Sequence, residues 1–159
     1  TGSACGGSAL FFTDVSPKVK VISINYNEPC VGQAAMKPDF KHPRIDFIEG
    51  MSTDKKIVAK VKAAVKGKRV MVSLDSDHTT ANVLAEMRLY GPMVTKGCYM
   101  VVQDTNIDCY PVNHPQFVDN GPSKAVRMFM AGNKDFEVDL SREAFYLTFY
   151  PNGWLRRVR

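Results

Sequence analysis

The chain has 159 residues, one domain's worth, with 45% hydrophobic and 23% charged residues, which excludes a disordered, collagen-like or coiled-coil protein. Its formal charge of +5 comes from 21 Lys and Arg against 16 Asp and Glu. Seven bases and one acid fall between Asp54 and Arg69, a local +6 that leaves −1 for the rest. No apolar run is long enough to cross a bilayer, and no charged-then-apolar leader opens the chain. Cys5, Cys30, Cys98 and Cys109 form no CxxC pair, which points to reduced thiols in a cytoplasmic compartment.

In chain order, a Gly/Ser-rich opening (Gly2 to Ser8) leads into a short helix over Ser8–Asp14. Val19–Tyr26 alternates like a strand, and Arg44–Glu49 is a second one. Thr53–Lys66 has apolar residues at helical spacing with lysines between them, and Gly67 stops it. A solvated lysine face is the simpler reading of that helix; a nucleic-acid or anionic-membrane patch is the other, without interleaved aromatics to support it. Arg69–Asp75 and Cys98–Asp104 are apolar strands of the buried parallel type, separated by a helix over Thr80–Tyr90 that Gly91-Pro92 ends. Thr105–Asn120 is a long loop in which Tyr110, His114 and Phe117 could line a pocket. A helix over Pro122–Gly132 follows. Phe136–Leu140 and Phe145–Tyr150 read as an antiparallel closing pair, and Trp154–Arg159 as a tail able to serve an interface between copies.

Strands alternating with helices predict an α/β domain with a mostly parallel sheet, whose ligands bind beyond the carboxyl ends of the strands. Three features stand there. The glycine loop can bring backbone N–H groups close to a ligand, although a frayed terminus explains its composition equally well. Asp75 and Asp104 close strands linked by one crossover. On neighbouring strands they would lie about 5 Å apart, where a hard divalent cation relieves their repulsion. Helix capping by Asp75 and Asp77 is the alternative. His78, beside them, could take a proton from a hydroxyl near neutral pH, or be a surface histidine.

The segments GGSALFFTD, HPRIDFIEGMSTD, RVMVSLDSDHTTANVLAEMRLYGPMV, VVQDTN and SREAFYLTFYPNGWLRRVR resemble the cephalosporin hydroxylase / rhamnosyl O-methyltransferase family over nearly the whole chain. The resemblance implies a Rossmann-like methyltransferase fold whose C-terminal strand is antiparallel. It implies S-adenosylmethionine as cofactor, held by Gly2, Gly6, Gly7 and Ser8, with Asn25 at the ribose position and Met51 and Ser52 near the adenine. It implies Mg2+ on Asp75, Gln103 and Asp104, with Asp77 and His78 as catalytic, substrate-facing groups. Asn25 and Gln103 stand where the family usually has acids, which weakens charge-assisted pairing and metal affinity respectively. The family's first strand and N-terminal segment are expected before Thr1.

The reading that results is a magnesium-assisted O-methyltransferase acting on a hydroxyl of a small molecule or sugar, with no membrane and no nucleic acid as partner. A degenerate binding domain of the same fold is the alternative. Iron-dependent hydroxylation finds no two-histidine-one-carboxylate set at the strand ends.

Overall fold

A computed structural model describes residues 1–26, 40–109, 111–144 and 148–159. Cys30, Tyr110 and the first half of the expected strand Phe145–Tyr150 lie outside the described residues. The chain divides into two compact units, Thr1–Val61 and Lys62–Arg159.

The first unit opens with helix α1 (Gly7–Val15), followed by strands β1 (Val21–Asn25) and β2 (Ile45–Glu49), which pair in parallel from Val21–Ile45 to Asn25–Glu49. Both strands lie within the predicted segments. Arg44 ties α1 to the strands: one guanidinium nitrogen donates to the carbonyls of Thr13, Ser16 and Val19. The Thr13 and Ser16 carbonyls lie at the end of the helix, where its last carbonyls run out of intrahelical donors. Helix α2 (Lys55–Ala64) carries the lysines, and Lys55, Lys56, Lys60 and Lys62 are all exposed. Asp54 starts it by accepting from the amides of Lys56 and Ile57.

The second unit is built on four strands: β3 (Val72–Leu74), β4 (Tyr99–Val102), β5 (Phe136–Val138) and β6 (Trp154–Arg157). Their order in the sheet is β3-β4-β6-β5, with β3 and β4 parallel and β6 antiparallel to both its neighbours. Helices α3 (Thr80–Tyr90) and α4 (Pro122–Gly132) have the bounds that the Gly-Pro punctuation predicts, and they pack on each other. Met87, Met100, Val102 and Leu155 are the centre of the core, each almost wholly buried.

The sequence reading is corrected in two places. β5 pairs with Trp154–Arg157; Thr148–Tyr150, the described part of the expected Phe145–Tyr150 strand, is irregular, and Leu140–Arg142 is a 3-10 turn. Pro151 cannot donate to a ladder, and Asn152 sits at φ 58°, so the chain turns before it can pair. Gly153 then passes so close to β4 that a side-chain carbon there would lie 2.3 Å from the Val102 carbonyl oxygen. The second correction is the length of β3. Val70 exchanges hydrogen bonds with Thr95, which keeps Arg69–Met71 out of the ladder.

Candidate active site

In the first unit, the residues expected to hold a cofactor meet at the carboxyl ends of β1 and β2. The Gly2 amide donates to the Ile24 carbonyl, and the Ala4 amide to the Asn25 side-chain oxygen at 3.3 Å. Gly50, just past β2, donates to the Asn25 carbonyl. Gly6 caps α1 at φ 86°, where a side-chain carbon would press on Phe40 and Phe47 at 3.1–3.3 Å. Gly7 opens the helix with nothing within 4 Å of where a side chain would start, so its backbone is approachable. Ser8 is exposed in the first turn. Met51 is exposed and Ser52 is buried, directly after the β2 end. An N-terminal helix turn entered from a glycine loop suits a polar or anionic group. Asn25 spends its oxygen on the loop itself, so it shapes the glycine turn from within.

In the second unit, the β3–β4 register pairs Leu74 with Val102, which places Asp75 and Gln103 side by side and Asp104 one residue beyond. His78 Nε2 lies 3.2 Å from Asp104 Oδ2 and 3.5 Å from Asp75 Oδ1. One ligand atom from each of the three residues falls within 4.8 Å of the others. Nε2 is buried, yet it makes no hydrogen bond of good geometry. Asp104 adopts φ 53°, a left-handed conformation that Asp tolerates better than most residues.

Electrostatics follow from this packing. The Asp75 carboxylate raises the His78 pKa above its ordinary value, and Asp104 adds to that against the opposing effect of burial. Burial raises the Asp104 pKa, as does the like charge of Asp75, while His78 opposes them. Two carboxylate oxygens set close together fit a divalent cation, which would neutralise them, and His78 Nε2 stands beside both.

Other expected site residues have different partners. Gln103 sits between two hydroxyls: its amide nitrogen donates to Ser73 Oγ at 2.8 Å, and its oxygen accepts from Tyr150 at 2.8 Å. Asp77 is exposed and accepts from the Thr79 amide at 2.9 Å, so it shapes the turn into α3. Thr79, not Asp75 or Asp77, is the N-cap of that helix.

Three supports of the cluster escape a reading by motif. Glu86, fully buried on α3, accepts from Ser76 Oγ at 2.8 Å and so holds the Asp75–His78 turn from behind. Asn82 donates to Ser76 Oγ and to the Asp77 carbonyl. Glu86 lies three residues after Val83 and four before Tyr90, both on the predicted apolar stripe, so its burial was readable from spacing. Tyr150, read from sequence as core strand, reaches Gln103, and its phenol pKa is raised by burial, then by Asp104 and Asp75. Phe117 stacks edge-on to His78 at 6.1 Å and lies 5.6 Å from His114, so part of the 105–120 loop does face the cluster.

The chain is 39% identical over 165 residues to a rhamnosyl O-methyltransferase of Mycobacterium leprae, covering 98% of this chain and 69% of that protein. It is 34% identical to rhamnosyl O-methyltransferases of Mycobacterium bovis and Mycobacterium tuberculosis, spanning 64% of their length. Among solved structures it resembles the MycE methyltransferase of the mycinamycin biosynthetic pathway, determined with Mg and SAH. The TM-score is 0.62 at 17% identity, over 97% of this chain and 41% of that one. That likeness shows the α/β methyltransferase fold. The sequence profile named rhamnosyl O-methyltransferase/CmcI matches residues 1–158, and with it the chain belongs to that family.

Proposed function

We propose that the full-length protein is an S-adenosylmethionine-dependent, magnesium-assisted O-methyltransferase acting on a hydroxyl of a small molecule. The names of the relatives make a rhamnosyl sugar the first acceptor class to test. The observation that carries this reading is the convergence of Asp75, His78 and Asp104 at the ends of two parallel neighbours.

S-adenosylmethionine supplies a methyl group on a sulfonium, and a divalent cation supplies Lewis acidity that lowers the pKa of an acceptor hydroxyl. The chain's own residues do the rest. Gly2, Gly6, Gly7 and Ser8 present backbone groups to the cofactor, with Asn25 fixing the loop and Met51 and Ser52 flanking it. Asp75 and Asp104 hold the cation. His78 would take the proton of the acceptor hydroxyl whose oxygen receives that methyl group. His78 can accept only when neutral, so neutralising the two carboxylates beside it favours the reactive form. Much of the rate gain is positional, from two reactants held close to attack distance.

The experiment is transfer of a labelled methyl from S-adenosylmethionine to methyl α-rhamnoside by the full-length protein, with titration of S-adenosylhomocysteine by calorimetry. Transfer that depends on Mg2+ and stops with chelator is expected. Failure of the folded protein to bind S-adenosylhomocysteine overturns the methyltransferase reading. Binding without transfer to any sugar hydroxyl, indifferent to chelator, favours the binding-domain alternative.

A further inference from the structure

We propose that Gln103 is not a cation ligand but a positioning residue, an amide bridge that sets the Tyr150 phenol beside the Asp75–His78–Asp104 cluster as a contact for the acceptor. This rests on the methyltransferase reading for the word acceptor; the bridge itself does not.

Both ends of the Gln103 amide are engaged. Its nitrogen donates to Ser73 Oγ and its oxygen accepts from the Tyr150 hydroxyl, each at 2.8 Å. Exchanging the amide's oxygen and nitrogen leaves it between the same two hydroxyls, because a hydroxyl both donates and accepts. Rotating the side chain to aim its oxygen elsewhere, instead of using that oxygen's second lone pair in place, would give up the bond from Tyr150. A neutral amide gains less from a cation than a carboxylate does, so the exchange is poorly compensated.

The segment that carries Tyr150 is fastened so that the phenol has little choice of place. Thr105 Oγ donates to the Pro151 carbonyl at 2.8 Å, and the Asn106 amide to the Phe149 carbonyl at 3.2 Å. The Val102 amide donates to the Gly153 carbonyl, and the Gly153 amide to the Tyr150 carbonyl. Gln103 itself is anchored by its amide to the Leu74 carbonyl. The phenol is half-buried and within electrostatic reach of both Asp104 and Asp75, and donating to Gln103 leaves its oxygen able to accept from an acceptor hydroxyl.

Mn2+ titration followed by electron paramagnetic resonance on the full-length protein tests the first half. Gln103→Leu should leave the Mn2+ dissociation constant within about threefold, while Asp104→Asn should weaken it by about a hundredfold. Equal losses in the two variants make Gln103 a ligand and overturn the proposal. A double-mutant cycle in urea tests the bridge without any metal. Gln103→Leu and Tyr150→Phe should be coupled about fivefold in the unfolding constant, and a coupling near one overturns it. If the wild-type protein takes up no Mn2+, the cation part of the proposed function falls and this cycle alone decides the bridge. With the rhamnoside acceptor, each single variant should raise KM about tenfold, with the double no worse and kcat little changed. Multiplying effects would show that the two residues act separately.

Discussion

Asp104 combines two demands that rarely meet in one residue. Its carboxylate faces His78 at 3.2 Å, and its backbone holds φ at 53°. Asparagine can keep the second and lose the first, because its short polar side chain tolerates the left-handed region. A β-branched residue loses both. Asp104→Asn should therefore unfold in urea close to wild type while its cation affinity collapses. Asp104→Val should be less stable by a further ~1–2 kcal/mol. Equal stabilities would mean that the turn after β4 relaxes without cost. The charged members of the cluster were visible in sequence because acids just past buried strands are few and their spacing fits one crossover. Gln103 was harder to read, since a neutral amide can ligate or bridge and only its partners tell which. Asn25 is the same case. Asp77 is exposed two residues before the N-cap of α3 and accepts from the local amide of Thr79.

At the scale of elements, the short stretch Leu140–Arg142 shows what periodicity misses. Asp139 accepts from Ser141 and from the Tyr99 hydroxyl at 2.6 Å, and Arg142 closes the group. The Ser141 and then the Tyr99 hydrogen bonds pull the Asp139 pKa down to about 2 from its ordinary 3.8. A depressed carboxylate stabilises the fold above its ordinary pKa, and that contribution disappears as pH falls through about 2. Acidification from pH 5 to pH 2 should therefore lower the melting temperature of wild type more than that of Asp139→Asn. Identical losses would show that the pairing adds nothing. α3 and α4 were legible to the residue because Gly-Pro marks one end or beginning of each. The closing hairpin was not, because its two strands are separated by the excursion from Asp139 to Gly153. The aromatic β-formers Phe149 and Tyr150 gave a local signal that Pro151 and Asn152 overrule.

At the scale of the molecule, the expected cofactor residues gather in Thr1–Val61 and the expected cation residues in Lys62–Arg159. Each set is formed at the carboxyl ends of a parallel strand pair, β1–β2 in one unit and β3–β4 in the other. The alternation of strands and helices was enough to foresee this general placement. The grouping of strands into a two-stranded and a four-stranded sheet was not, because pairing depends on what is adjacent in space and composition does not carry that. The chain covers 69% of one relative and 64% of others, so turnover is to be measured on the full-length protein.

β4 is flanked by strands on both sides, parallel to β3 and antiparallel to β6, and Met100, Val101 and Val102 are buried. Its amides can meet deuterium only when the sheet itself comes apart. They should be among the slowest of the molecule to exchange, while the amides of the exposed stretch from Pro111 to Gln116 exchange early. The strand that leads directly into Gln103 and Asp104 would then keep its place through every lesser fluctuation. Labelling the protein in heavy water and following peptides by mass would show it directly, and rapid uptake across Tyr99–Val102 would refute it.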